Sequence, residues 1–192
     1  MPRRDHLRRL LEAYDPADAR EAQHREHMLR LLDSTEQPFS REQYAPGHVT
    51  ASAFVLDPES RELLLILHGK LGLWLQPGGH VEPEDADVFS SARREVREEV
   101  DVSELSVVGA GLLDLDVHDI PARGAQPAHA HFDVRFLFRT SSRAFRAGSD
   151  AKDARWVAID ELLASAGAPE RAVYLSDESV MRAVRKLVQG TA

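Results

Sequence analysis

LQPGGHVEPEDADVFSSARREVREEVDV, residues Leu75 to Val102, decides how this chain is read. A glycine-rich turn gives way to a helical stretch, from about Asp87 to Val100, whose last turns carry Glu95, Glu98 and Glu99. Residues three and four apart share a helix face, so the spacing predicts that these three carboxylates converge. Like charges so placed repel, and a fold tolerates that cost most readily when a divalent cation joins the cluster. The opposite face carries Phe89, Ala92, Val96 and Val100, an apolar stripe able to pack on a sheet. Arg94 lies four residues before Glu98, where it can pair with that carboxylate and hold its orientation. Gly78 and Gly79 permit a close backbone approach that a side chain would block, and can present a carbonyl oxygen to the same cation.

Working outward, the first forty or so residues read as helical. A short helix is expected from about Asp5 to Ala13, and a longer one with Asp15 as N-cap and Pro16 at its first position, running to about Asp33. Ala22, Met28, Leu29 and Leu32 are its expected apolar positions. His24 and His27, three apart, read as part of a solvated face rather than as a ligand pair, since no further ligand lies near in sequence.

After a Pro- and Gly-containing stretch from Gln37 to Gly47 the pattern becomes strand-like. His48 to Leu56, Glu62 to Leu67, Leu105 to Val117 and His131 to Phe138 are the expected strands, with a turn at Asp57 to Ser60. In the last of them Phe132, Val134, Phe136 and Phe138 fall on one face, and His131, Asp133 and Arg135 on the other. Short helices at Asp160 to Ala164 and Asp177 to Leu187 complete the reading. Strands and helices mixed in this order imply an α/β or α+β sandwich rather than a bundle or a β barrel.

Composition narrows the function. The chain has 192 residues, no cysteine and a formal net charge of −8. Without thiolates, any metal must be held by oxygen or imidazole ligands. The acidic balance disfavours long nucleic acids, whose binding depends on Lys and Arg contacts. A compact phosphorylated ligand stays open, since bound divalent cations can neutralise it. With no run of eighteen apolar residues and no signal-peptide pattern, a cytoplasmic protein with no membrane association is expected.

The central stretch resembles the box of the Nudix hydrolases, whose pattern is G, five residues, E, seven residues, REUXEEXGU with U aliphatic. Here Gly79 is followed after five residues by Asp85, and then come Arg94, Glu95, Val96, Arg97, Glu98, Glu99, Val100, Asp101 and Val102. The lead-in LWLQP at Leu73 to Pro77 and the run Arg155, Trp156, Val157 also look like that family, and the similarity covers about Gly47 to Val188. Asp85 stands for the first glutamate with eight residues rather than seven before Arg94, unless Asp87 fills the role. Asp101 stands for the box glycine, and Asp tolerates the left-handed conformation needed there.

The resemblance implies a Nudix-type α/β/α sandwich with a mixed β-sheet over 45–192, preceded by a helical extension at 1–44. It implies a hydrolase that uses Mg2+, with Mn2+ as substitute, to cleave a diphosphate linkage in a small nucleoside diphosphate derivative. Gly78, Glu95, Glu98 and Glu99 would then hold one to three metal ions. The proton acceptor is expected among the box glutamates, with Asp150 and Asp153 as later candidates. A module that senses a nucleotide without cutting it is the alternative, and a prenyl diphosphate isomerase on a related fold a weaker one, since those enzymes use a cysteine.

A second segment, DVHDIPARGAQPAHAHFDVRF, places His129 and His131 on the same side of a strand, with His118 and Arg123 on the connection leading to it. These residues read as substrate contacts, as transition-metal ligands, or as polar surface. Trp74 and Tyr174 read as stacking surfaces for a base or as packing residues. The apolar positions of the N-terminal helices suggest cover by a second subunit, giving a homodimer.

Overall fold

Local preference and burial produce twelve elements in a computed structural model that describes residues 3–69, 72–148, 151–165 and 178–189. They are α1 (Arg3–Ala13), α2 (Ala19–Ser34), β1 (Gly47–Leu56), β2 (Glu62–His68), β3 (Trp74–Leu75), β4 (Gly78–His80), α3 (Val88–Val100), β5 (Leu105–Ile120), β6 (His129–Thr140), β7 (Ala151–Ala158), α4 (Ile159–Ser165) and α5 (Glu178–Gln189). The mixed α/β fold is the one expected. Strands order as β3-β2-β1-β6-β5, with β4 added to β1 and β7 to β2. No helix among the described residues is long and apolar enough to cross a membrane.

The chain forms two compact units, Met1–Ser52 with Gly78–Ala92 and Asp114–Phe136, and Ala53–Pro77 with Arg93–Leu113 and Leu137–Ala192. In the first, α2 starts later than the Asp15-Pro16 signal predicts. Asp18 is the N-cap, its carboxylate accepting from the Glu21 amide at 2.8 Å. An N-cap oxygen relieves one of the helix's unpaired N–H groups, worth about 1 kcal/mol. The buried face also differs from the expected one. Glu21, His24, Met28, Leu31 and Leu32 are buried, whereas Ala22 and Leu29 are only partly so.

Glu21 survives full burial because it accepts from the Tyr14 hydroxyl (2.6 Å), the Ala17 amide (2.6 Å) and the Leu115 amide (3.1 Å). His24, expected on a solvated face, is buried with Nδ1 3.1 Å from the Leu115 carbonyl, while His27 is exposed. The expectation of a partner subunit over these helices loses its premise. Leu7, Leu11, Met28, Leu31 and Leu32 are all fully buried by the chain itself, each side chain contributing about 1.5–3 kcal/mol.

In the second unit β2 pairs antiparallel with β7 from Glu62↔Ala158 to Leu67↔Asp153, and with β3 at Ile66↔Leu75 and Leu67↔Trp74. The turn before β2 forms where DPES predicts it, Ser60 taking φ 61° and the Asp57 carboxylate accepting from the Arg61 and Glu62 amides. Helix α5 buries Val180, Ala183, Val184 and Leu187, an i, i+3, i+4, i+7 stripe, in a core with Leu63, Leu65, Val157 and Leu162.

Candidate active site

Helix α3 carries the acidic box residues, and its start is set by a reciprocal cap. Asp87 Oδ1 accepts from the Ser90 amide at 2.8 Å, and Ser90 Oγ accepts from the Asp87 amide at 2.9 Å. Asp85 instead turns onto its own loop, accepting from the Glu82 amide at 2.9 Å. The apolar stripe is Val88, Ala92, Val96 and Val100, all fully buried. Phe89 lies beside it, half-buried, edge-on to Phe136 at 5.3 Å.

The carboxylates occupy the other side. One nitrogen of Arg94, Nη1, donates to Glu95 at 2.9 Å and to Glu98 at 2.8 Å. These two carboxylates therefore already share one cationic nitrogen, and the predicted Arg94–Glu98 pair forms. Glu95 is largely shielded, Glu98 is half-exposed and Glu99 is buried. The three do not close into a single nest here. Among the described residues the group of three side chains whose ligand atoms all lie within 4.8 Å of one another is His48, His80 and His131.

The C-terminal end of α3 is closed by main chain from a distant segment. Arg146 N donates to the Val100 carbonyl at 3.0 Å and Gly148 N to the Glu99 carbonyl at 2.7 Å. These bonds satisfy helix-end carbonyls that would otherwise lack partners. A Cβ on Gly148 would meet the Glu98 carbonyl oxygen at 1.9 Å, so only glycine fits. Asp101, in the position of the box glycine, takes φ 55°, the left-handed turn expected of it, and pairs with Arg146 at 2.9 Å.

In the first unit, β4 pairs with β1 at Ser52↔Gly78, Ala51↔Gly79 and Thr50↔His80. Gly78 is required by contact, since a Cβ would lie 2.4 Å from that of Ser52. This pairing also brings His80 beside His48, with ring centroids 5.1 Å apart. The start of β1 is pressed on β6, where a Cβ on Gly47 would meet the Ala130 carbonyl oxygen at 1.8 Å. His48 thus stacks on His129 at 5.1 Å and lies 5.0 Å from His131. His118 joins the group 5.5 Å from His131.

Five of the chain's nine histidines therefore meet. Burial, with the neighbouring rings of His118, His48, His80 and His129, pushes the His131 imidazole down to about 2. Burial lowers His48 as well, the Gln43 carbonyl opposing and His129 and Arg41 adding to the fall. His118 goes the other way. Burial would lower it, but its hydrogen bond to Asp116 and the charges of Asp133 and Asp116 prevail and raise it.

Beneath the rings lies a buried ionic network. Arg135 donates from Nε to Asp133 (3.0 Å), from Nη1 to Asp114 (3.2 Å) and from Nη2 to Asp116 (3.1 Å). Asp133 also accepts from Thr50 (3.2 Å) and Ser52 (2.8 Å). A guanidinium presents fixed N–H donors in a fork, which is what three converging carboxylates need. Burial works against the Arg135 charge, yet Asp133, Asp116 and Asp114 outweigh it and the pKa rises.

Other expected site residues fall elsewhere. Trp74 is buried in the core of the second unit with the Arg155 guanidinium 4.0 Å over its ring. Arg123 is exposed in a turn bridged to Gln126. Asp153 is exposed on β7, its carboxylate bonded to the Ala154 amide. Asp150 and Tyr174 lie outside the described residues. Sequence reasoning missed His48 and His80. The available signal was weak: His48 opens a strand and His80 follows the double glycine, and only strand register joins them.

A family model described as the NUDIX domain matches residues 46–177. No curated protein matches the sequence. Among solved structures, the fold resembles a C. elegans Ap4A hydrolase binary complex (17% identity, TM-score 0.55, covering 74% of this chain and 96% of that one). It also resembles an E. coli dihydroneopterin triphosphate pyrophosphohydrolase (16% identity, TM-score 0.57, 74% and 95%). A third likeness is the NUDIX domain of Shewanella oneidensis NrtR complexed with ADP ribose (16% identity, TM-score 0.54, 85% and 98%).

Proposed function

This chain belongs to the Nudix family of pyrophosphohydrolases acting on phosphorus anhydrides, and from that premise we propose that it cleaves the diphosphate bond of a small nucleoside diphosphate derivative by attack of water at phosphorus. The observation that carries the reading is Arg94 bridging Glu95 and Glu98 through one nitrogen, with Glu99 in the same final turns of α3. The donor set is all oxygen, the kind that suits Mg2+ or Mn2+, and a positive nitrogen already sits between two of its members. Glu95, Glu98 and Glu99 would hold the ions.

When bound, such a cation neutralises the diphosphate and makes water a better nucleophile. The chain's own contribution is positional. A carboxylate oxygen of the box accepts the proton of the attacking water, and Arg94 keeps Glu95 and Glu98 in fixed rotamers. The main-chain closure at Val100 and Glu99 fixes the helix end from which these side chains project. In this reading 45–192 is the catalytic domain and 1–44 an extension folded onto it through buried α1 and α2.

The test is turnover by the full chain with Mg2+ on ADP-ribose, dinucleoside polyphosphates, NADH, nucleotide sugars and nucleoside triphosphates, assayed by release of phosphate or nucleoside monophosphate. Hydrolysis of one class, abolished by chelator and by Glu98→Gln, is expected. Saturable binding with no turnover of any compound would establish the sensor instead.

A further inference from the structure

The proposed hydrolysis assigns no role to the histidines gathered in the first unit. We infer that His48, His80 and His131 form a second metal site, for a transition-metal cation of the Zn2+ class held by imidazole nitrogens. Their ligand atoms lie within 4.8 Å of one another. A tetrahedral ion with Zn–N bonds of about 2.0–2.1 Å sets its ligands about 3.4 Å apart, so modest ring rotation completes the site.

One ring is already oriented as a ligand. His48 Nδ1 lies 3.1 Å from the Gln43 carbonyl, a contact that only an N–H can make, so Nε2 carries the lone pair. That Nε2 is buried and finds no hydrogen-bond partner among the described residues. A buried acceptor left unsatisfied is destabilising, and a bound cation removes that penalty. His131 and His80 face it from two different strands at ring distances of 5.0 and 5.1 Å. Both strands are fixed, by the Thr50↔His80 register and by the Gly47–Ala130 approach.

The surroundings suit a metal of this kind. His129 has Nδ1 2.8 Å from the Pro127 carbonyl, which leaves its Nε2 lone pair as a further donor beside His131. His118, held by Asp116 at 2.9 Å, packs edge-on against His131 with ring centroids 5.5 Å apart and adds a polar wall. Three imidazoles select against Mg2+ and Ca2+, which prefer oxygen, so the two proposed metal sites differ in the ion they take. The inference does not depend on the hydrolase reading.

The experiment titrates chelator-stripped full chain with Co2+ alone, followed by visible absorption, and with Zn2+ alone, followed by calorimetry. Wild type, His131→Gln, His80→Gln and Glu98→Gln are compared, with folding verified by circular dichroism. One equivalent of Co2+ giving the intense bands of a tetrahedral site is expected. Its affinity should fall about 100-fold or more in whichever of the two histidine variants is folded, and persist in Glu98→Gln. No tetrahedral band at stoichiometric Co2+, unchanged affinity in the folded histidine variants, or loss of the band in Glu98→Gln would each overturn the proposal.

Discussion

Arg135 and Arg94 each gather carboxylates, and in every other respect they differ. Arg135 is almost fully buried and reaches three aspartates on strands, two of them 19 and 21 residues away in sequence. Arg94 reaches glutamates one and four residues away on its own helix, one of them half-exposed. The buried cluster uses its charges on itself, because unpaired charge in a dry interior is prohibitively costly. The helical cluster keeps carboxylate within reach of solvent, where a ligand can claim it. The lesson is that an acidic group's availability is decided by burial and by who already holds it, not by how many carboxylates are present.

The largest expected effect breaks the buried member. Arg135→Met strands Asp114, Asp116 and Asp133 together and should cost about 3–5 kcal/mol in urea unfolding. An undiminished midpoint would show that the aspartates are neutralised by other means. Next, Glu98→Gln should leave stability nearly unchanged, as its side chain is half-exposed, yet lower kcat several hundredfold, about 3–4 kcal/mol in transition-state terms. Equal kcat in variant and wild type would remove this carboxylate from the chemistry.

Acid sharpens the same contrast. Burial would raise the Asp116 pKa, but its hydrogen bond to His118 and the charge of Arg135 overcome this and hold it well below the ordinary 3.8. As pH falls through 3.8 the unfolded chain takes up this proton and the folded one does not, so stability must drop over that window. Asp116→Asn, though less stable at neutral pH, should show a shallower loss there, and parallel curves would contradict the assignment. At the smaller end, Arg94→Met, which unpairs the shielded Glu95 as well as the half-exposed Glu98, should cost about 1–3 kcal/mol of stability while reducing turnover. Asp101→Gly should fall within about 1 kcal/mol of wild type, because φ 55° suits glycine as well as it suits Asp.

How much was legible follows the same division. The box helix, the four main strands and the turn at Asp57 announce themselves because their signals are local: periodicity, caps and turn residues. Asp101 in a left-handed turn was readable for the same reason. The start of α2 was misread because Asp15-Pro16 and Asp18 both offer caps, and only the Glu21 amide chooses between them. Burial of His24 was invisible, since its partner Leu115 lies 91 residues away. The two-residue β3 and three-residue β4 are too short to show a period, and with β4 went the link between His80 and His48. Arg94's hold on Glu95 as well as Glu98 depends on a rotamer rather than on spacing.

Gly148 and its amide bond to Glu99 have a further consequence for how this protein can be varied. The segment around it must thread past the helix end at a separation that admits no side chain, so its length and its path are both pinned at that spot. Recombination with distant cousins, or insertion of a peptide tag, should therefore not be tolerated within Arg146 to Gly148. A splice there would tilt the final turn of α3 and scatter its acids while leaving every one of them in place.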